Sequence, residues 1–214
     1  MKIVMNKQHE VRAYDFEIRA REDEEHGTYI EGQPIVYNSK TNLGYYDEII
    51  EPGALKDTNL KDVRFLVNHD FNMIPLARSR NNNKNSTMQM TVNNKGMDIR
   101  VNLDVEGNSK AKELYSAVKR GDISGMSFAF NIDDEEWEDL NTDHPTRRIK
   151  AISQVFEVSA VTFPAYEDTS ISARDKMALE SVKDVLDSAK RSLDNDDKQL
   201  ELELEKEKIK LLSI

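Results

Sequence analysis

His69 and Ser127 are the two side chains of this sequence whose types and surroundings best suit attack on an acyl bond. The histidine lies in Arg64-Phe65-Leu66-Val67-Asn68-His69-Asp70, and the serine in Gly121-Asp122-Ile123-Ser124-Gly125-Met126-Ser127-Phe128-Ala129-Phe130. Each stretch sets a reactive polar group at the edge of an apolar run, where a strand would hold it rigidly. A serine hydroxyl is a poor nucleophile near neutrality, so acyl transfer needs a neutral imidazole within hydrogen-bond reach and usually a third group orienting the ring. Glu157, in Val155-Phe156-Glu157-Val158-Ser159-Ala160-Val161, suits the third role. A carboxylate inside an apolar strand is expensive to bury alone, and the Nδ1 proton of His69 would satisfy it. Together these residues make a serine protease the leading expectation.

Every one of these assignments has an ordinary structural counterpart. An isolated histidine at a strand end is commonly structural, and Ser127 could simply start a strand. The small Gly125 would let main-chain N–H groups approach a substrate carbonyl as part of an oxyanion hole. Yet Gly125-Met126-Ser127 lacks the second glycine of a nucleophile elbow, since Ala129 stands there. Glu157 could instead pair with Arg147 or Arg148. Strand alternation puts Glu157, Ser159 and Val161 on one face, which makes Ser159 a rival nucleophile.

The elements that must position these groups are mostly strands. Val11 to Ala20 alternates apolar and polar residues as one half-buried strand, with Phe16 among them, and a charged turn follows from Arg21 to Gly27. Tyr29 to Tyr37 reads as a strand interrupted by Pro34. Tyr45 to Ile50 leads into the turn Glu51-Pro52-Gly53, with a short helix expected from Ala54 to Leu60. Val63 to Val67 is a compact apolar run, and Asn81 to Ser86 a polar loop. Met88 to Val92 and Met97 to Val105 predict a hairpin about Asn93-Asn94-Lys95-Gly96. Ala111, Leu114, Tyr115 and Val118 recur at helical spacing, with Arg120-Gly121 as the stop. Phe128 to Ile132 predicts a strand and Asp133 to Thr146 an acidic loop holding Trp137. The β-branched stretch Ile149 to Thr162 can cross a sheet before Pro164. From Asp175 onward glycine, proline and aromatics disappear, and charged residues alternate with Leu, Val and Ile; this reads as a charged helical or partly disordered tail, residues 175–214, after a domain of residues 1–174.

Composition narrows the function classes. With 30 Lys plus Arg against 40 Asp plus Glu, the net charge of −10 disfavours attraction to nucleic acid or to an anionic membrane. There are no cysteines, which removes disulfides, thiol catalysis and cysteine-ligated zinc. His9, His26, His69 and His144 are widely spaced and form no metal-binding pair, so neither a metal nor an organic cofactor is expected. Met1-Lys2-Ile3-Val4-Met5 is too short an apolar start for a secretory signal, and no apolar run approaches the ~20 residues that span a bilayer. A soluble, intracellular protein is the expectation.

The ordered set of motifs resembles the tailed-phage prohead proteases, the caudovirus prohead serine protease family. It comprises Glu31-Gly32, Glu48-Ile49-Ile50-Glu51-Pro52-Gly53-Ala54, Asn68-His69-Asp70, Arg120 to Phe128, Glu157-Val158-Ser159 and Val161-Thr162-Phe163-Pro164-Ala165-Tyr166. The resemblance implies a mainly β fold with flanking helices (α+β), an antiparallel β-barrel like that of herpesvirus capsid maturation proteases. It also implies His69 as general base, Ser127 as nucleophile and Glu157 as the third member. The substrates implied are the scaffolding protein and the major capsid protein, cut inside a procapsid in the host bacterial cytoplasm, with self-cleavage and self-association as further expectations. The product of an integrated prophage would act in the same setting. A structural protein of procapsid assembly that keeps the fold without cleaving anything is the alternative, and a hydrolase using Ser159 or metal assistance is a third. One departure stands out: the family shows Leu-Gly-Arg where this chain has Leu76-Ala77-Arg78, and Arg78 would hold an oxyanion or support the fold.

Overall fold

A computed structural model describes residues 10–14 and 18–162, together with Asp187, Lys190, Arg191, Lys198 and Lys206. Phe16, the segment around Pro164 and the tail, apart from those five positions, lie outside the described residues. Two sheets are built from β1 (Glu10–Tyr14), β2 (Ile18–Asp23), β3 (Gly27–Val36), β4 (Lys40–Asn42), β5 (Asp47–Ile50), β6 (Asp62–Val67), β7 (Ala77–Arg80), β8 (Met88–Asn93), β9 (Gly96–Asn102), β10 (Gly125–Glu138) and β11 (Thr146–Val161). The larger sheet runs β1-β10-β11-β5-β4, with β6 joining β11 to β7; the smaller runs β2-β3-β9-β8.

β11 organises the larger sheet because it is long enough to serve three partners. It pairs antiparallel with β10 along its length, and in parallel with β5 over Thr146 to Ile149 and with β6 over Glu157 to Ala160. The protein is mainly β, as expected, but no closed antiparallel barrel is found among the described strands. Two parallel pairings depart from the expected pattern. Between β7 and β8, side chains of the 81–87 loop take backbone donors that a closing ladder would use: Arg78 N–H donates to Thr87 Oγ1 at 2.9 Å, Arg80 N–H to Ser86 Oγ at 2.9 Å and Met90 N–H to Asn82 Oδ1 at 2.8 Å. Both sheets feed one core. Met126, Phe128, Phe130, Val158 and Ala160 come from the larger, and Ile30, Ile35, Met88, Met97 and Val101 from the smaller; all are fully buried.

The ends of helix α1 (Ser109–Arg120) follow from sequence. Asn108 Oδ1 accepts from the N–H groups of Lys110 and Ala111, and Gly121 ends it in the left-handed region at φ 80°. Ala111, Leu114 and Val118 form its buried face. The β8–β9 hairpin also follows expectation. Gly96 sits at φ 144°, and a Cβ there would lie 1.9 Å from the Ile35 carbonyl oxygen, so this turn admits glycine alone. Pro34 coincides with a register shift between Gly32 and Ile35 in β3.

Three expectations are corrected. Val11 to Ala20 is not one strand: β1 belongs to the larger sheet and β2 to the smaller, so a single alternating pattern serves two surfaces. Ala54 to Leu60 forms turns rather than a helix, because β11 captures its backbone. The Ala54 carbonyl accepts from Ile152 N–H at 2.9 Å, Asn59 N–H donates to Ser153 O at 2.9 Å, and Thr58 N–H turns back to Leu55 O. The expected acidic loop from Asp133 to Thr146 is strand in its first part, since β10 continues to Glu138 opposite the arginines of β11, and residues 139–145 form the loop.

Those arginines explain how so acidic a strand is tolerated. Arg147 is buried and donates to Glu10, Glu48 and Glu135, and its guanidinium lies 5.7 Å from the centre of the Trp137 ring. Arg12 donates through Nε to Glu48 Oε1 at 2.5 Å and through Nη2 to Glu48 Oε2 at 2.7 Å, and it also meets Glu10. Burial opposes the charge on Glu10, but Arg12 and Arg147 outweigh it and hold its pKa at about 2. The stabilisation is present in full above the ordinary carboxyl range near 4.5 and is lost as pH falls toward 2. Glu10→Gln should therefore destabilise the protein by on the order of 3 kcal/mol at neutral pH. In urea titrations at successive pH values, the gap between wild type and variant should narrow below pH 4.5; a gap independent of pH would contradict this.

Candidate active site

The site grows from the ends of β6 and β11, which run in parallel with Ser159 beside Leu66 and Ala160 beside Val67. Immediately after β6 the chain turns sharply. Asn68 and His69 both take positive φ, at 51° and 55°, a conformation that non-glycine residues adopt only when their surroundings hold them there. The hold is visible. Asn68 N–H donates to Ala160 O at 3.0 Å, Asn68 Oδ1 accepts Thr162 N–H at 2.9 Å, and Asn68 Nδ2 donates to Thr162 Oγ1 at 2.9 Å. The turn carrying His69 is thus tied to the end of β11.

That turn brings the imidazole onto Glu157. His69 Nδ1 lies 2.6 Å from Glu157 Oε1, and Ser159 Oγ donates to Glu157 Oε2 at 2.5 Å while accepting His69 N–H at 3.2 Å. Glu157 is fully buried. A carboxylate in this setting accepts, so Nδ1 carries the proton and the lone pair of the neutral ring resides on Nε2. His69 Nε2 is itself buried and has no hydrogen-bond partner among the described residues. A buried, unpaired basic nitrogen is the feature a general base requires.

Ser127 lies one strand further along the same sheet. Its Cα pairs with Ser159, and directly opposite residues of an antiparallel ladder share a face. Ser127, Ser159 and Glu157 therefore occupy the face opposite Phe128 and Val158, which point to the core. Ser127 is fully buried, and its Oγ donates to the Arg12 carbonyl at 2.7 Å rather than to the imidazole. His69 and Glu157 are in contact, whereas Ser127 is their neighbour on one face without a hydrogen bond to either.

A β-bulge adjusts this geometry. Ala129 pairs with Glu157 but Phe130 with Val155, so Phe156 is an extra residue in β11. The bulge turns Val155 toward the core while Glu157 stays on the site face. Phe156 also lines a cleft of about 380 Å³ with Arg64, Leu66, Phe71, Met73 and Pro75, next to the His69 turn.

Several sequence readings resolve here. Glu157 does not pair with Arg147 or Arg148; those meet Glu10, Glu48 and Glu135, and Glu51 and Glu138. The Ser159 hydroxyl is committed to Glu157. Arg78 is bound to Asp62 at 2.6 and 2.7 Å across β6 and β7, which gives it a fold-supporting role. Gly125 and Met126 belong to the ladder, with Met126 between Tyr14 and Ala160, so their main chain is not a free loop. The left-handed turn at Asn68 and the bulge at Phe156 are not among the expectations from sequence. The Asn-His dipeptide after an apolar run was the available signal for the first, because asparagine tolerates the left-handed region.

Among the described residues no group of three His, Asp or Glu side chains could hold a metal ion, and no helix is long and apolar enough to cross a membrane. Compared with known proteins, the chain matches the family described as Caudovirus prohead serine protease over residues 14–185. It is 30% identical over 174 residues to the prohead protease of Enterobacteria phage HK97, covering 79% of this chain and 70% of that protein. No solved structure matches the chain. The paired imidazole and carboxylate beside a serine-bearing strand thus find their place in a known lineage: the chain belongs to the caudovirus prohead serine protease family and is a serine peptidase.

Proposed function

We propose that the protein is an endopeptidase of phage capsid maturation, with Ser127 as nucleophile, His69 as general base and Glu157 as the group that orients and charge-stabilises the imidazole. Its substrates in this reading are the scaffolding protein and the scaffold-like part of the major capsid protein, within a procapsid in the host cytoplasm. Residues 1–174 form the protease domain, and residues 175–214 serve co-assembly, self-association or self-removal. The observation that carries the reading is the unpartnered His69 Nε2 on a ring whose Nδ1 is fixed by Glu157.

In the proposed reaction Ser127 Oγ swings to another staggered rotamer and gives its proton to His69 Nε2 while attacking the peptide carbonyl. The imidazolium returns that proton to the departing amine, and water then hydrolyses the acyl-enzyme with His69 acting again. Catalytic hydrogen bonds commonly tighten only once substrate is bound, so the present Ser127–Arg12 bond is compatible with this course. Ser159 positions Glu157 and the His69 backbone and does not attack.

Two outcomes test these roles. On co-expression with the cognate capsid and scaffold proteins, Ser127→Ala should leave full-length products, a loss of roughly 10⁴-fold or more; processing equal to wild type would reject the assignment. Ser159→Ala should retain measurable activity, reduced by about 10²-fold in kcat with KM little changed, because it loosens the geometry without removing the nucleophile. Complete loss in Ser159→Ala together with normal turnover in Ser127→Ala would exchange the two serines.

A further inference from the structure

We propose that the edge of β10 beside Ser127 is a strand-shaped binding site for an arginine-bearing peptide substrate, and that β1 fills this site in cis. The proposal rests on the proteolytic reading for its chemistry but on independent contacts for its geometry.

Among the described strands β1 lies at the sheet edge and pairs with β10 alone, in antiparallel register from Glu10 opposite Phe130 to Tyr14 opposite Met126. Added strands bind sheet edges in this way, with backbone hydrogen bonds supplying affinity and alternate side chains specificity. The position from which a peptide carbonyl contacts the Ser127 hydroxyl is already taken by the carbonyl of Arg12, at 2.7 Å. β1 therefore occupies the strand position alongside the nucleophile, and Arg12 is the residue whose carbonyl holds the Ser127 hydroxyl in its present rotamer.

The side chain of Arg12 meets Glu10 and the Val11 carbonyl on its own strand, but its bidentate partner and aromatic neighbours belong to other strands and the turn before β5. Glu48, on β5 and fully buried, takes the guanidinium in a bidentate grip at 2.5 and 2.7 Å. Tyr46 Oη lies 3.5 Å from Nη2, and the Phe130 ring lies under the guanidinium at 5.6 Å. The planar fork of arginine matches a carboxylate edge and an aromatic face in a way that lysine does not. Without β1, Glu48 and Glu135 face Arg147 alone, and among the described residues the fully buried Glu48 keeps only the single Arg147 contact at 3.3 Å. β1 brings Glu10 together with Arg12, so the net charge of the cluster is unchanged while Glu48 gains its bidentate partner. Leaving Glu48 buried without that partner would be expensive, so the vacated slot favours a strand that brings a guanidinium.

The test uses the full-length chain carrying Arg12→Ala, which weakens the resident strand, with Ser127→Ala added for binding measurements. The probe is a fluorescently labelled copy of the β1 sequence, Glu-Val-Arg-Ala-Tyr, compared by anisotropy with a version carrying leucine in place of arginine. The arginine peptide should bind about tenfold or more tightly than the leucine peptide, and Glu48→Gln should remove the difference. With Ser127 intact, Arg12→Ala should raise kcat/KM for an arginine-containing fluorogenic peptide several-fold over wild type. Equal binding of the two peptides, no binding, or a preference that survives Glu48→Gln would overturn the inference even if proteolysis is normal. Arginine-selective binding without any hydrolysis would uphold the strand site and count against Ser127 as nucleophile instead. Should Arg12→Ala fail to fold, Arg12→Lys keeps the charge and loses the fork; it should give the same ordering of the two peptides, and equal affinities there would overturn the inference too.

Discussion

A carboxylate is buried in the middle of an apolar strand, and much of the architecture around the site follows from satisfying it. Glu157 has no exposed surface, so its ionised form needs donors on both oxygens. One comes from the hydroxyl of Ser159, two residues along the same strand face, and the other from the ring of His69, 88 positions away in sequence. The second donor can arrive only if the chain leaving β6 bends back over β11. The consecutive left-handed residues Asn68 and His69 make that bend, and the Asn68–Thr162 hydrogen bonds hold it.

The same constraint fixes the chemistry of the imidazole. By accepting the Nδ1 proton, Glu157 leaves the lone pair on Nε2, which is buried and has no hydrogen-bond partner among the described residues. The parallel β6–β11 pairing makes this arrangement rigid, since the turn carrying the histidine leaves the strand that pairs with the one bearing its carboxylate. A second buried charge cluster, built on Glu48 and Arg147, lies where β5, β10 and β11 meet and anchors β1 through Arg12 and Glu10. The two clusters are linked through β1 and β10. Arg12 gives its side chain to the second, while its carbonyl meets Ser127 beside the first.

Much of this was legible in the sequence because it depends on local rules. The hairpin around Asn93 to Gly96, the helix closed by Asn108 and Gly121, and the strands bearing Phe65, Phe128 and Val158 follow from periodicity and turn chemistry. Glu157 announced its need for a partner by its apolar neighbours. What local pattern does not carry depends on tertiary pairing. The backbone of Ala54 to Asn59 bonds to β11 instead of to itself, which overrides a plausible helix. The acidic run of β10 becomes a strand because Arg147, Arg148 and Lys150 stand across from it on β11. A continuous alternating pattern from Val11 to Ala20 gives no hint that its halves join different sheets, because alternation reports a buried face and not which sheet buries it. Ring closure into a barrel was likewise beyond local pattern, since it turns on what the 81–87 loop does with the edges of β7 and β8.

The claim on which the account turns is that the hydroxyl served by His69 belongs to Ser127 and not to Ser159. A serine-directed phosphonate, reacted with the full-length protein and followed by peptide mapping, tests it directly. The account predicts a single adduct on the peptide containing Ser127, absent when His69 is replaced by alanine. An adduct on Ser159, or labelling indifferent to His69, would contradict it.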